Sequence, residues 1–288
     1  MTFSIVACDL SCDPPEWGVA VASKFLAVGA VVPCVSAGVG AIATQAYANT
    51  TYGPEGLKML EIGADAAAVT TDLTAADEQR DQRQLGVVDG YGRPSTFTGA
   101  ECPDWAGGRT GDGYCCQGNI LVGPEVVDAM SAAFEATSGD LAVRLLAALT
   151  AGDDAGGDRR GRQSAAVIVA GKEAGYLGGS DVRVDLRVDD HESPVTELAR
   201  LLEVHRFYFP RKSDLDFITI DDPLSLELRA LLRSAGYDAG EGTVYDQALS
   251  RALMDYMGTE NLEERWSDRA EIERGVLDYL RATPSLDR

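Results

Sequence analysis

The chain has 288 residues, 45% of them hydrophobic, and a formal net charge of −21 at pH 7. That length suits one large domain or two modest ones. So negative a surface excludes nucleic acid, whose binding depends on Lys and Arg neutralising phosphates.

No apolar run reaches the roughly 18 residues of a membrane-spanning helix, and no basic leader precedes the first apolar stretch. No membrane partner is expected, and the expected location is cytoplasmic. Only four of the 25 basic residues are lysine (Lys24, Lys58, Lys172 and Lys212), so most positive charge is guanidinium. Such a surface repels itself at low salt, a property halophiles exploit. A high-salt cytoplasm is the favoured explanation, with an acidic protein of a GC-rich genome as the alternative. The six cysteines predict free thiols rather than a disulfide framework. Cys8 and Cys12 have a loose metal-like spacing, but no second pair or histidine cluster joins them. No metal or other cofactor is expected.

Thr2–Leu10 and Trp17–Phe25 are apolar, β-branched runs separated by Ser11-Cys12-Asp13-Pro14-Pro15, and they read as an antiparallel hairpin. The Gly- and Val-rich stretch Ala27–Thr44 predicts two short strands. Gly53-Pro54 announces a helix running to about Ala68, followed by an acidic helix at Ala75–Arg80. Gln84–Asp89 and Pro94–Thr98 flank Gly90-Tyr91-Gly92, a hairpin signal.

Gly113–Leu121 predicts a strand, and Glu125–Ala136 and Asp140–Ala151 predict two helices. Gly152–Arg162 is expected to be an exposed loop. Gln163–Ala170 and Ala174–Leu177 read as a third hairpin, and Val182–Val188 as an edge strand. Pro194–Phe209 has the pattern of an amphipathic helix with Leu198, Leu201, Leu202 and Phe209 as its seam. That seam could bury within the domain or against a second subunit, and a homodimer is expected. From Asp222 onward the pattern is helical, with helices at Pro223–Ala235 and Val244–Met257 and a charged helical tail to about Arg281.

The order suits an α/β (α+β) fold with two antiparallel sheets packed face to face and helices outside, in four layers. The expected domains are residues 1–210 and 222–288, joined by a linker at 211–221.

Thr2 heads the first strand. Were Met1 removed, it would carry both a hydroxyl nucleophile and a free α-amine, whose pKa near ~8 lets it accept the hydroxyl proton. Gln117-Gly118-Asn119 places two amides at a strand end, and Asn119 is the candidate donor to an oxyanion. Ser23 and Lys24 end the second strand, within reach of the Thr2 amine, whose pKa they could tune. Asp158 and Arg162 belong to an arginine-rich loop, Gly156–Gln163, where a guanidinium fork could take an anionic substrate end. Gln45 and Asn49 follow the Ala37–Ala46 strand and could line the same cleft.

The segments Thr2–Asp9, Gly18–Pro33, Ala37–Ala46, Tyr52-Gly53-Pro54, Gln117–Gly123 and Gly156–Ala165 resemble the DUF1028 family, assigned to the Ntn (N-terminal nucleophile) hydrolase superfamily. The resemblance implies an αββα sandwich. It also implies hydrolysis of an amide C–N bond in a small-molecule substrate, with Thr2 as nucleophile and its own amine as base. A catalytically idle binding or assembly protein on the same scaffold is the rival expectation. Residues 222–265, with Leu228–Leu232, Gly236-Tyr237 and Glu260–Arg265, resemble a small peptidoglycan-binding-like helical domain.

Overall fold

The computed structural model describes residues 2–282. Its contacts divide the chain into two compact units, parting between Leu202 and Glu203.

In the first unit, strands β1 (Thr2–Asp9) and β2 (Glu16–Ser23) pair antiparallel, Phe3 opposite Ala22 and Asp9 opposite Glu16. Both are buried on both faces because each face meets another layer. With β7 (Gly107–Gly111), β8 (Tyr114–Asn119), β9 (Ser164–Gly171) and β10 (Val182–Val188) they make a six-stranded antiparallel sheet ordered β10-β9-β2-β1-β8-β7. A second antiparallel sheet is ordered β3 (Pro33–Ser36), β4 (Gly40–Ala46), β5 (Arg83–Asp89), β6 (Pro94–Thr98).

Side chains alternate along β1. Phe3, Ile5 and Ala7 point to a core shared with Val126 and Met130 of α3 (Glu125–Ala136) and Leu145 and Leu149 of α4 (Leu141–Asp154). Val6 and Cys8 point the other way and meet Ala41, Ala43 and Val88 of the second sheet. The far face of that sheet packs Ile42, Leu85 and Val87 on Tyr52, Leu60, Val69 and Leu73 of α1 (Tyr52–Glu61) and α2 (Ala66–Ala75). Helices thus cover the outer faces, and the two sheets meet in the middle.

Several segments differ from their sequence reading. The single helix expected from Gly53 to Ala68 is two. Gly63, at φ +99°, turns the chain, and Asp65 caps α2 by accepting from the Ala68 amide. The helix expected at Ala75–Arg80 is replaced by turns, because α2 has already ended. Strand β7 was not foreseen, since its sequence GGRTG carries no apolar alternation. Strand β9 pairs with β2 and β10, while Ala174–Leu177 forms a turn and not a strand. α4 runs through Asp154, and Gly152, Gly157 and Asp158 are buried, so the 152–162 stretch is not a freely exposed loop.

α5 (Pro194–Tyr208) buries Val195, Leu198 and Leu202 on the core of the first unit, whereas Phe209 is 43% exposed and leaves the expected seam. Among the described residues no helix is long and apolar enough to cross a membrane.

The second unit contains α6 (Asp222–Ser234), α7 (Gln247–Thr259) and α8 (Arg274–Ala282) around Leu228, Leu232, Leu253, Met257 and Leu277. The segment expected as a linker carries β11 (Phe217–Thr219), which pairs with β12 (Glu271–Glu273) in the stretch expected to be helical. Buried Arg229 donates to the carbonyls of Ala239 and Val244, filling with side-chain donors the backbone acceptors of an irregular loop.

Candidate functional site

The layer between the sheets changes character along its length. Val6, Cys8, Val19, Val21, Ala41, Ala43, Val88 and Cys115 make one half, where burial pushes the Cys115 thiol up to about 12. At the Thr2 end four strands turn polar at one level. The register pairs Thr2 with Asn119, Ser4 with Gln117, and Gln45 with Gln84, bringing residues far apart in sequence together.

Gln117 Nε2 donates to Ser4 Oγ at 2.7 Å, and Ser4 Oγ donates to Gln45 Oε1 at 2.7 Å. Gln45 Nε2 then donates to Gln84 Oε1 at 2.8 Å, and Gln84 Nε2 to the Gly118 carbonyl at 2.7 Å. Asn119 Nδ2 joins at Gln84 Oε1, 2.9 Å away. Gly86 makes room, since a β-carbon there would stand 2.3 Å from Gln117 Oε1. Gln117 Oε1 and Asn119 Oδ1 are buried with no hydrogen-bond partner among the described residues.

This network holds the backbone of Thr2, whose carbonyl accepts from Gln45 Nε2 at 3.3 Å and more weakly from Asn119 Nδ2 at 3.5 Å. Thr2 is 6% exposed, and its hydroxyl lies 3.1 Å from the Ser23 hydroxyl. Among the described residues no carboxylate, imidazole or ammonium side chain hydrogen-bonds that hydroxyl. Just beyond Asn119, Ile120 adopts the left-handed region at φ +50°, which a β-branched residue rarely enters.

Past α4 the chain is clasped by Asp158. Its carboxylate accepts the Lys24 amide at 2.8 Å and the Arg160 amide at 2.9 Å, and it pairs with the Arg160 guanidinium at 3.2 Å. The backbone of this segment also meets the exit of β8, through Arg159 N to the Ile120 carbonyl and Val122 N to the Gly157 carbonyl.

Beside the clasp lies a cavity of about 120 Å³ lined by Phe3, Ala22, Ser23, Asp158, Arg162 and Pro194, among others. Phe3 and Ala22 belong to the helix-side core. The cavity therefore opens on that face, and Ser23 is the residue it shares with the Thr2 hydroxyl. Arg162 is held by Asp153, with Nε 2.7 and 2.9 Å from its two oxygens, and that hydrogen-bonded pairing raises the guanidinium pKa.

Of the residues singled out in sequence, Thr2, Ser23, Gln45, Gln117 and Asn119 come together at this end of the sheets. Ser23, Asp158 and Arg162 share the cavity. Lys24 touches the clasp through its backbone, and its side chain is exposed. Asn49 and Gln45 do not line the cavity. Asn49 instead donates to Asp77, which also receives Tyr52 and Arg83 and whose carboxyl the Arg83 hydrogen bond holds well below the usual range. Ser4 and Gln84 were missed. The available signal was a buried-strand sequence in which polar residues recur near one end of each of four otherwise apolar strands. Among the described residues no group of three or more His, Cys, Asp or Glu is placed to hold a metal.

The profile described as "Family of unknown function (DUF1028)" matches residues 2–198, and one described as "Putative peptidoglycan binding domain" matches residues 208–280. A crystal structure of a Silicibacter pomeroyi protein assigned to DUF1028 is similar at 33% identity and a TM-score of 0.65, over 71% of this chain and 89% of that one. No curated protein matches. Matched over more than half its length, and with a relative one-third identical along nearly the whole of that relative, the chain belongs to the DUF1028 family.

Proposed function

We propose that the first unit is an Ntn-type amidohydrolase on an αββα sandwich, with Thr2 as its nucleophile and a small anionic amide as its substrate. The observation that carries this reading is the isolation of the Thr2 hydroxyl. Among the described residues its hydrogen-bond partner is another hydroxyl, so none of their side chains stands ready as base. The α-amine of Thr2 itself, released when whatever precedes it is removed, is the base that fits. Met1 lies outside the described residues.

In the reaction the Thr2 oxygen attacks the amide carbon while its proton passes to the α-amine. The C–N bond then breaks, the amine returns the proton to the leaving nitrogen, and an ester on Thr2 remains for water to hydrolyse. Ser23 orients the hydroxyl, while Gln45 and Gln117 brace the β1 backbone. Asn119 supplies the oxyanion donor by turning Nδ2 from Gln84 toward the oxygen of the amide carbonyl under attack.

The test is intact-mass measurement of the purified chain before and after incubation with a β-lactone. Such a lactone opens on a nucleophilic oxygen and adds its full mass. A chain beginning at Thr2 that gains one lactone, and a Thr2→Ala variant that gains none, is the expected result. Peptide-linked Thr2 nitrogen or labelling unaffected by Thr2→Ala overturns it. The low exposure of Thr2 favours the second reading, a non-catalytic binding protein, for which the same experiment would leave the chain's mass unchanged by the lactone.

A further inference from the structure

We propose that the cavity bordered by Ser23 and Arg162 is a docking site for a short monocarboxylate, gripped by the outer edge of the Arg162 guanidinium. This names the anionic end of the substrate; it rests on the Thr2 reading for the reaction, though not for the binding.

The argument begins with which hydrogen-bonding groups are already used. Asp158 is only 2% exposed, and both of its oxygens are filled by the Lys24 amide, the Arg160 amide and the Arg160 guanidinium. The two oxygens of Asp153 share the single N–H of Arg162 Nε, at 2.7 and 2.9 Å. Arg162 is half exposed, and among the described residues no hydrogen bond reaches its Nη1, while Nη2 makes one long contact of 3.5 Å to the Asp153 carbonyl. The unfilled capacity is therefore donor capacity, arranged as two parallel N–H groups on one rigid plane. A carboxylate fits that fork with two hydrogen bonds. Because Asp153 fixes the guanidinium from behind, little side-chain freedom is lost on binding.

Charge and volume narrow the class further. Asp153, Asp154 and Asp158 face Arg160 and Arg162 here, so a dianion meets more repulsion than a monoanion. The cavity volume of about 120 Å³ is somewhat below the ~150 Å³ that admits benzene. A body of roughly five non-hydrogen atoms fits. Phe3, Ala22 and Pro194 supply apolar walls for it, and Ser23 leads on toward the Thr2 hydroxyl.

Propionate, propionamide, propylammonium and succinate, titrated into the full chain by NMR, test the assignment. Propionate should bind at least about tenfold more tightly than the other three, a gap of about 1.4 kcal/mol. Arg162→Gln should lose that preference, Arg162→Lys should keep part of it, and Arg159→Gln and Thr2→Ala should keep all of it. Absence of propionate binding, equal binding of the amide or the ammonium, or an unchanged preference in Arg162→Gln overturns the proposal. Lactone labelling of Thr2 is scored separately on the same proteins. Labelling without carboxylate preference sinks the docking site alone, and carboxylate preference without labelling sinks the Thr2 chemistry alone.

Discussion

The two halves of the layer between the sheets share the strands β1, β4, β5 and β8, with β2 adding Val19 and Val21 to the apolar half, yet they hold together by different physics. In one half Val6, Val19, Val21, Ala41 and Val88 exclude water, and the Trp17 indole and the Cys115 thiol each donate to a backbone carbonyl rather than to another side chain. In the other, Ser4, Gln45, Gln84 and Gln117 are just as buried, and each depends on its neighbour's hydrogen bond. The apolar half tolerates local error, because a lost methyl group is felt only where it stood. The amide half does not, because removing one member strands several buried groups at once. A protein gains nothing in stability from such a network over a packed apolar core. The amide half therefore marks where backbone placement matters, and the backbone it places is that of Thr2.

The sharpest way to break this comparison is Gln84→Leu. It removes the acceptor of Gln45 and Asn119 and the donor to Gly118 in a single step. At roughly 1–3 kcal/mol per stranded group, combined with partial relaxation, it should destabilise by about 3–5 kcal/mol. Val19→Ala in the apolar half should cost about 2 kcal/mol. Denaturant midpoints of the two variants decide, and a Gln84→Leu variant milder than Val19→Ala would erase the distinction.

Acid separates the neutral amide network from the charged ties on the outer face. The Asp77 carboxyl is held low chiefly by the Arg83 hydrogen bond, so its folded-state pKa lies below its unfolded one. Its stabilisation is complete above the unfolded value near ~4 and is lost as the pH falls from there toward the folded value. Asp77→Asn should cost about 2 kcal/mol at neutral pH, and the gap to wild type should close in acid. The Gln84→Leu deficit should stay constant over the same range.

The smallest effect comes from filling the space that Gly86 leaves. Gly86→Ala puts a methyl against Gln117 Oε1 and should push that amide off Ser4. A loss of about 1–2 kcal/mol is expected, with a shifted Gln117 side-chain NMR signal. An unmoved Gln117 signal would show that the amide end is looser than its hydrogen bonds imply.

Much of this could be read from the chain. β1 and β2 announced themselves as apolar β-branched runs, and α3 as a helix opening after Gly123-Pro124. Thr2, Ser23, Asp158 and Arg162 were visible because position, strand ends and an arginine-rich loop are local signals. Ser4 and Gln84 were not, since a glutamine inside a strand looks like a solvent-facing interruption until the register shows what faces it. β7 was hidden for a related reason. Gly-Gly-Arg-Thr-Gly becomes a strand through its pairing with β8, which no short-range pattern encodes.

The Asp158 clasp has a consequence for how this part of the molecule breathes. One carboxylate grips the exit of β2 at Lys24, while the chain around it is tied by Arg159 and Val122 to the exit of β8. None of the three stretches can swing away without unfastening the others, so they open as one cooperative patch. The amide hydrogen of Lys24, on a residue that looks solvent-loose, should therefore exchange with water no faster than those of Arg159 and Val122.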